Sequence, residues 1–331
     1  MSYKYSIVGA FSLLSLVACS SKDDAKPGTA PSNGTPDAGN PGTDSGGGAY
    51  PAPAPDSCIT DVTPGKQSLE CEGLKFELNV PETCLTAPCG FIVDVHGFGM
   101  TGPVEISHTK MPELAGAKGY IVIEPSAPAP AGGGLPAWAP ANDDQVFAIM
   151  NHVIDVWHVD AKRIHFDGYS MGGWMTWRFV CKHSDILASA APISAGSQPP
   201  GGSCAFTGDE MPAREIPILY THGRTDGLVP YSTAETERDA VIAAWGFGAP
   251  ESVEGGSDYQ WDRYTNDNGT VFEFVQHDWK TSFSFPTKLN GHCFPAKPGF
   301  LTADAFLACD ATSKFNWSER VLDFFVAHPM K

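Results

Sequence analysis

The 331 residues are 42% hydrophobic and 18% charged, with 35 glycines, 28 prolines and a formal net charge of −17. That length and apolar share suit one α/β core with appendages, and the acidic balance argues against nucleic acid and polyanionic substrates, which a basic surface would attract. Low charge with abundant glycine and proline suggests a loop-rich extracellular chain, and no apolar run after residue 20 approaches spanning length.

Lys4 precedes an apolar stretch from Ile7 to Ala18, then Cys19. A positive start and a short apolar core read as a secretory signal over residues 1–18. Leu16-Val17-Ala18-Cys19 resembles the bacterial lipobox, which implies acylation of Cys19 and an exported lipoprotein; the plain alternative is a secretory signal that happens to contain a cysteine. By the rule for such lipoproteins, Ser20 favours the outer membrane. Residues 19–55, rich in Gly, Pro, Ser, Asn and Asp, bury too little apolar surface to offset their ordering entropy and read as a disordered tether. The catalytic domain is expected over 56–331.

Eight further cysteines in an exported chain suggest disulfides. Local pairing gives Cys58–Cys71, Cys84–Cys89, Cys181–Cys204 and Cys293–Cys309, although eight cysteines allow about 105 connectivities. There is no CxxC to support a zinc site. Leu74–Val80 alternates as a half-exposed strand, and Phe91–Val95 is a buried strand opening into the glycine loop His96-Gly97-Phe98-Gly99. His96 is expected to brace that loop. Tyr120–Pro125 is another strand, the loop through Trp138 a rim, and Asp143–Trp157 carries helical apolar spacing with acids at its N-terminus.

The chain then reaches Gly168-Tyr169-Ser170-Met171-Gly172-Gly173, between a short strand (Arg163–Asp167) and a glycine-free run from Trp174 to Cys181. Strand, Gly-x-Ser-x-Gly, helix is the context of a nucleophile elbow: Ser170 must sit on a turn tight enough to expose its hydroxyl, and side chains at 168 and 172 would collide with neighbouring elements. Core strands follow at Ala188–Ile193 and Ile216–Gly223. Asp226 lies in the loop just after the second, where a triad carboxylate belongs. A helix over Ala234–Trp245, strands near Tyr259–Tyr264 and Val271–Gln276, and a helix over Ser318–Ala327 complete a mostly parallel sheet covered on both faces. The late histidines are His277 and His292; His292, in a loop pinned by a glycine, a proline and a disulfide candidate, is the favoured base.

Val93-Asp94-Val95-His96-Gly97, Asp144-Gln145-Val146-Phe147, the Ser170 elbow, His222-Gly223-Arg224-Thr225-Asp226 with Val229-Pro230-Tyr231, and Gly291-His292-Cys293-Phe294-Pro295 together resemble the extracellular esterase family of feruloyl esterases and polyhydroxybutyrate depolymerases. The resemblance spans about residues 90–296 and implies the α/β-hydrolase fold. It maps Ser170 to nucleophile, Asp226 to acid, His292 to base, and the backbone N–H groups of Phe98 and Met171 to the oxyanion hole. It also implies an ester substrate, monomeric or polymeric, and no metal or organic cofactor. Two departures stand out: Phe294 replaces a frequent tryptophan, and no attached substrate-binding module is visible. The competing readings are a deacetylase or peptidase on the same fold, and a binding lipoprotein with a vestigial site. Trp138, Trp174, Trp177, Trp245, Trp261 and Trp279 are candidates for a stacking surface. A monomer is expected.

Overall fold

The computed structural model describes residues 50–198, 202–301, 305–310 and 315–331. The stretch read as a signal sequence, Cys19 and the expected tether up to residue 49 lie outside the described residues. Residues 50–55, read from composition as the end of that tether, run against the body of the protein. Tyr50 Oη donates to the carbonyls of Trp157 and His158, and Ala54 N–H donates to Val156 O at 3.1 Å. An aromatic ring with a polar tip is what distinguishes this end of the segment from the Gly/Ser-rich remainder.

Twelve strands and six helices follow: β1 (Gly65–Cys71), β2 (Leu74–Val80), β3 (Gly90–Val95), α1 (Gly102–Thr109), α2 (Met111–Gly116), β4 (Tyr120–Ser126), α3 (Asp143–Trp157), β5 (Ile164–Tyr169), α4 (Met171–His183), β6 (Ser189–Ile193), β7 (Ile218–Gly223), α5 (Tyr231–Trp245), β8 (Glu251–Gly255), β9 (Tyr259–Thr265), β10 (Val271–His277), β11 (Thr281–Ser284), β12 (Lys288–Asn290) and α6 (Trp317–Ala327). Ten strands form one sheet in the order β1-β2-β4-β3-β5-β6-β7-β10-β9-β8, and β11 pairs with β12 in a separate hairpin. The six strands from β4 to β10 are parallel, and the antiparallel pairs flank them on both sides.

Side-chain alternation divides the core in two. Phe91, Val93 and Val95 of β3 face one cluster with Val146, Ile149 and Val153 of α3, Trp177 and Phe179 of α4, and Val241 of α5. Ile92 faces the other, with Met111 of α2 and Val321, Phe324 and Phe325 of α6. Continuous apolar runs such as Phe91-Ile92-Val93 therefore mark strands buried on both faces, whereas the alternating β2 lies near a sheet edge. The acids at the start of α3 do more than favour its dipole. Asp143 is buried and receives Arg178 and Lys182 of α4 at 2.7 and 2.9 Å, tying the two helices together.

Four disulfides close the local loops: Cys58–Cys71, Cys84–Cys89, Cys181–Cys204 and Cys293–Cys309. A ring nitrogen of His152 lies within 4.8 Å of the sulfurs of Cys58 and Cys71, but both thiols are consumed in a disulfide.

Four acidic side chains sit in the second core just below the ends of the central strands. Asp94 pairs in register with Asp167 on the neighbouring strand, Glu124 lies one step beyond the Val93–Ile123 pair, and Glu105 reaches in from α1. All four are fully buried, and Thr109 Oγ1 donates to Asp94 at 2.7 Å. Burial raises the Asp94 carboxyl to about 7 and, with the neighbouring carboxyls, drives Glu105, Glu124 and Asp167 well above the ordinary range. The burial of this layer favours its neutral, protonated carboxyls.

Candidate active site

Ser170 follows the last residue of β5 and precedes the first of α4, with φ 55° and ψ −112°, a backbone conformation that non-glycine residues rarely adopt. The neighbours explain the glycines. A Cβ at Gly172 would lie 1.9 Å from Val95 O, and one at Gly168 would lie 2.6 Å from the Gly172 carbonyl carbon. Neither position can carry a side chain while strand, turn and helix stay this close. Ser170 N–H donates to Ile193 O at 2.9 Å, which fixes the turn against β6.

Asp226 and His292 come to this turn from two loops that are zipped together. Gly227 N–H donates to Leu289 O at 3.0 Å, Gly291 N–H donates to Thr225 O at 3.2 Å, and Asp226 bridges to Asn290. His292 Nε2 lies 3.0 Å from Ser170 Oγ, and His292 Nδ1 lies 2.7 Å from Asp226 Oδ2. The other carboxylate oxygen accepts the N–H groups of Leu228 and Val229, both at 2.8 Å. Burial works to raise the Asp226 carboxyl, but His292, His222 and these backbone donors outweigh it and hold it below the usual carboxylate range. An ionised Asp226 fixes Nδ1 of His292 as the donor and leaves Nε2 facing the serine hydroxyl. Tyr169 Oη donates to the His292 carbonyl at 3.0 Å, and Phe294 stacks on the same tyrosine.

His277 sits elsewhere in this constellation. It is buried at the end of β10, stacked on Trp279, and its carbonyl accepts Arg224 N–H at the start of the acid loop. Burial holds its imidazole down at about 3, so it is neutral.

The loop after β3 also reaches the serine turn. A Cβ at Gly97 would come 3.2 Å from Ser170 Cβ, so Phe98 follows directly on a residue in contact with the elbow. Met171 is the first residue of α4, and its N–H therefore has no carbonyl one turn earlier within the helix. His96 braces the loop. Its Nδ1–H donates to Gly97 O at 2.6 Å, its Nε2 accepts Ala127 N–H at 2.9 Å, and Trp138 Nε1–H donates to the His96 carbonyl at 2.9 Å. Burial lowers this imidazole to about 4, which keeps Nε2 free to accept.

Ser170 and His292 open onto a cleft of about 400 Å³. Its other walls are largely hydrocarbon: Phe98, Leu135 and Leu228, Phe283 and Phe285 from the β11–β12 hairpin, and Phe306 with Leu307 from the disulfide loop. Of the nine exposed large hydrophobic side chains among the described residues, five line this one cleft. The six tryptophans considered from the sequence are elsewhere. All but Trp174 are buried packing residues, and Trp174 donates to the Gly196 carbonyl. The stacking groups of the cleft are phenylalanines, several of them on the hairpin and disulfide loop, where no regular periodicity marks them.

No family model matches the sequence. A stretch of 147 residues is 28% identical to a bifunctional acetylxylan esterase/xylanase of Neocallimastix patriciarum, covering 44% of this chain and 20% of that protein. A second, of 122 residues, is 30% identical to a feruloyl esterase B of Neurospora crassa, over 35% of this chain and 41% of that one. The chain thus matches between a fifth and about two fifths of the length of these relatives. Among solved structures, an acetyl xylan esterase from Aspergillus awamori superposes with a TM-score of 0.53 over 64% of this chain and 92% of that chain, at 18% identity. The fold is that of the α/β-hydrolases. The resemblance to feruloyl esterases read from the sequence motifs is likewise met by named relatives.

Proposed function

We propose that this α/β-hydrolase is a serine esterase acting on carboxylic esters through an acyl-enzyme. The observation that carries the reading is the line Ser170–His292–Asp226, on a nucleophile elbow, facing an apolar cleft. His292 takes the serine proton as Ser170 attacks the ester carbonyl. Asp226 holds the imidazole tautomer and stabilises its charged form. The N–H groups of Phe98 and Met171 receive the oxyanion; loss of one such donor typically costs about 10²–10³ in turnover. His292 then protonates the leaving alkoxide, and a water activated by the same residue releases the acid.

The hydrocarbon walls favour a neutral acyl group, aromatic or aliphatic, over a charged one. Relatives named for acetylxylan and feruloyl esters support plant-polymer esters, and the exposed phenylalanines at the cleft also suit polyhydroxyalkanoate oligomers. The lipobox-like Leu16–Cys19 and four disulfides support export, with the domain held to the outer membrane through Cys19.

Activity of the purified chain and its Ser170→Ala variant on short p-nitrophenyl esters, methyl ferulate, acetylated xylan and polyhydroxybutyrate film tests this reading. Hydrolysis of at least one ester, lost on substitution together with fluorophosphonate labelling, is expected. A variant that keeps more than a few percent of the rate would reject Ser170 as nucleophile, and an unlabelled natural protein would favour a binding lipoprotein.

A further inference from the structure

His222 ends the run of β7 two strands away from the elbow, fully buried, with only Gly223 after it in the strand. Its Nε2 lies 3.0 Å from Val229 O and 3.6 Å from Asp226 Oδ2. A carbonyl at 3.0 Å can only accept, so Nε2 carries the hydrogen. Val229 in turn donates its own N–H to Asp226 Oδ1 at 2.8 Å. The imidazole thus closes a ring: it grips the carbonyl of the residue whose amide grips the acid, while its N–H lies beside the carboxylate oxygen that faces His292. On its far side Nδ1 faces Tyr220 Oη at 3.4 Å, and that hydroxyl donates to Ala195 O. Trp177 of the elbow helix also reaches Ala195 O, at 3.4 Å. A continuous path therefore runs from the acid loop through β7 to the helix that carries the serine turn.

We propose that His222 is a positioning residue for the acid, acting as a neutral Nε2–H donor that locks the Asp226–Val229 turn and steadies the carboxylate behind His292. The proposal rests on Asp226 acting as the triad acid. The start of this turn is tied to β7 by Asp226 N–H to Gly223 O at 3.1 Å and to the base loop by Gly227 N–H to Leu289 O. The strand-borne imidazole adds the tie at its far end, at Val229. Burial holds the His222 imidazole below its ordinary value, against the pull of Asp226, so the donor is the neutral ring rather than an imidazolium. The groups that face it, Asp226, Val229 O, Tyr220 and more distantly His292, offer no competing proton at Nε2.

Gln and Met are similar in size, and only Gln can donate to the Val229 carbonyl. His222→Met should lower kcat about 10–100-fold with KM within twofold, whereas His222→Gln should recover to within about fivefold of the natural rate. In an Asp226→Asn background the His222→Met change should cost less than twofold more, because groups acting through one another are non-additive. A merely structural role would give the same fold-loss in both backgrounds, and that result would overturn the proposal, as would equal rates for Gln and Met. A measurement on the unaltered protein stands apart from any variant: nitrogen-detected histidine NMR should show His222 as the neutral Nε2–H tautomer at pH 7 to 8. An Nδ1–H tautomer there rejects the donor, and an imidazolium rejects the neutral ring; either overturns the proposal. If the natural protein shows no Ser170-dependent hydrolysis, the esterase reading fails, while the tautomer still decides the contact itself.

Discussion

The two halves of the active site are held by crowding and by bonds in different proportions. On the elbow and the loop after β3 the crowding is local: Val95 O stands where a Cβ of residue 172 would go, and the Tyr169 ring and Ser170 Cβ crowd Gly97. The acid and base loops are also crowded, Gly223 against Gly291 O and Gly227 against Lys288 O, but add the backbone zipper between residues 225–227 and 289–291, the imidazole of His222 and the Cys293–Cys309 disulfide. A glycine contact this close leaves no room for a side chain. Bonding is spread over long sequence separations and can be weakened one contact at a time. The glycine contacts should therefore fail abruptly and the bonded ones gradually.

The sharpest break lies at the elbow. Ser170→Ala should reduce ester hydrolysis by about 10³-fold or more with its melting temperature within a few degrees, since a methyl fits where CH₂OH stood. Gly172→Ala should do the reverse kind of damage. Its Cβ cannot be placed without moving β3 or α4, at a cost of about 1–3 kcal/mol or more, so low soluble yield and an early melt are expected. A Gly172→Ala protein as stable and active as the parent would show that exclusion does not hold this half.

On the bonded side, His292→Ala should lose about 10³-fold or more in kcat while His277→Ala keeps activity to within a few-fold; the reverse order would exchange their roles. Cys309→Ser should be milder. Opening this loop typically removes about 2–4 kcal/mol of stability, and drift of His292 should lower kcat about tenfold with a smaller change in KM. Peptide mapping that found Cys293 as a free thiol would remove the basis for that expectation.

A smaller effect separates the layer beneath the elbow from the loops above it. Carboxyls whose folded pKa is raised bind more protons in the folded than in the unfolded state, so stability falls as pH rises from about 4 through the raised values. The Asp94, Glu105, Glu124 and Asp167 layer should therefore make the protein more heat-stable at pH 5 than at pH 8, with Asp94→Asn flattening the slope. Asp226 has the opposite sign, its contribution being lost as pH falls below about 4. A melting temperature that climbed steadily from pH 5 to 8 would contradict a protonated layer. Least of all, Phe98→Ala should raise KM a few-fold and leave kcat nearly unchanged, because any oxyanion contact there is made by the backbone.

The same division governs what the sequence reveals. The strand–Gly-x-Ser-x-Gly–helix segment is local, so its residues announce it, and the doubly buried strands announce themselves as unbroken apolar runs. The elements that escape notice are short or non-periodic. α1 opens with Gly102-Pro103, α2 has six residues, and β11 and β12 have four and three. The hairpin and the disulfide loop nevertheless supply much of the cleft wall, so the cleft lining was the least legible part of the site. His222 is visible as a histidine–glycine pair before the acid, but its contact with Val229 depends on how the loop turns back. The buried acids were unreadable for a related reason: Asp94 and Asp167 lie in strands far apart in sequence, and only register sets them side by side.

The docking of residues 50–54 also orients the molecule. They lie against the end of α3, where the chain turns back toward the start of β5, and Asp160 there bonds to Cys89 at the start of β3. Ser170 stands at the other end of β5, six residues on, or about 20 Å away. The chain thus meets the sheet at the end opposite Ser170, and the cleft opens away from the point where residue 50 joins the body.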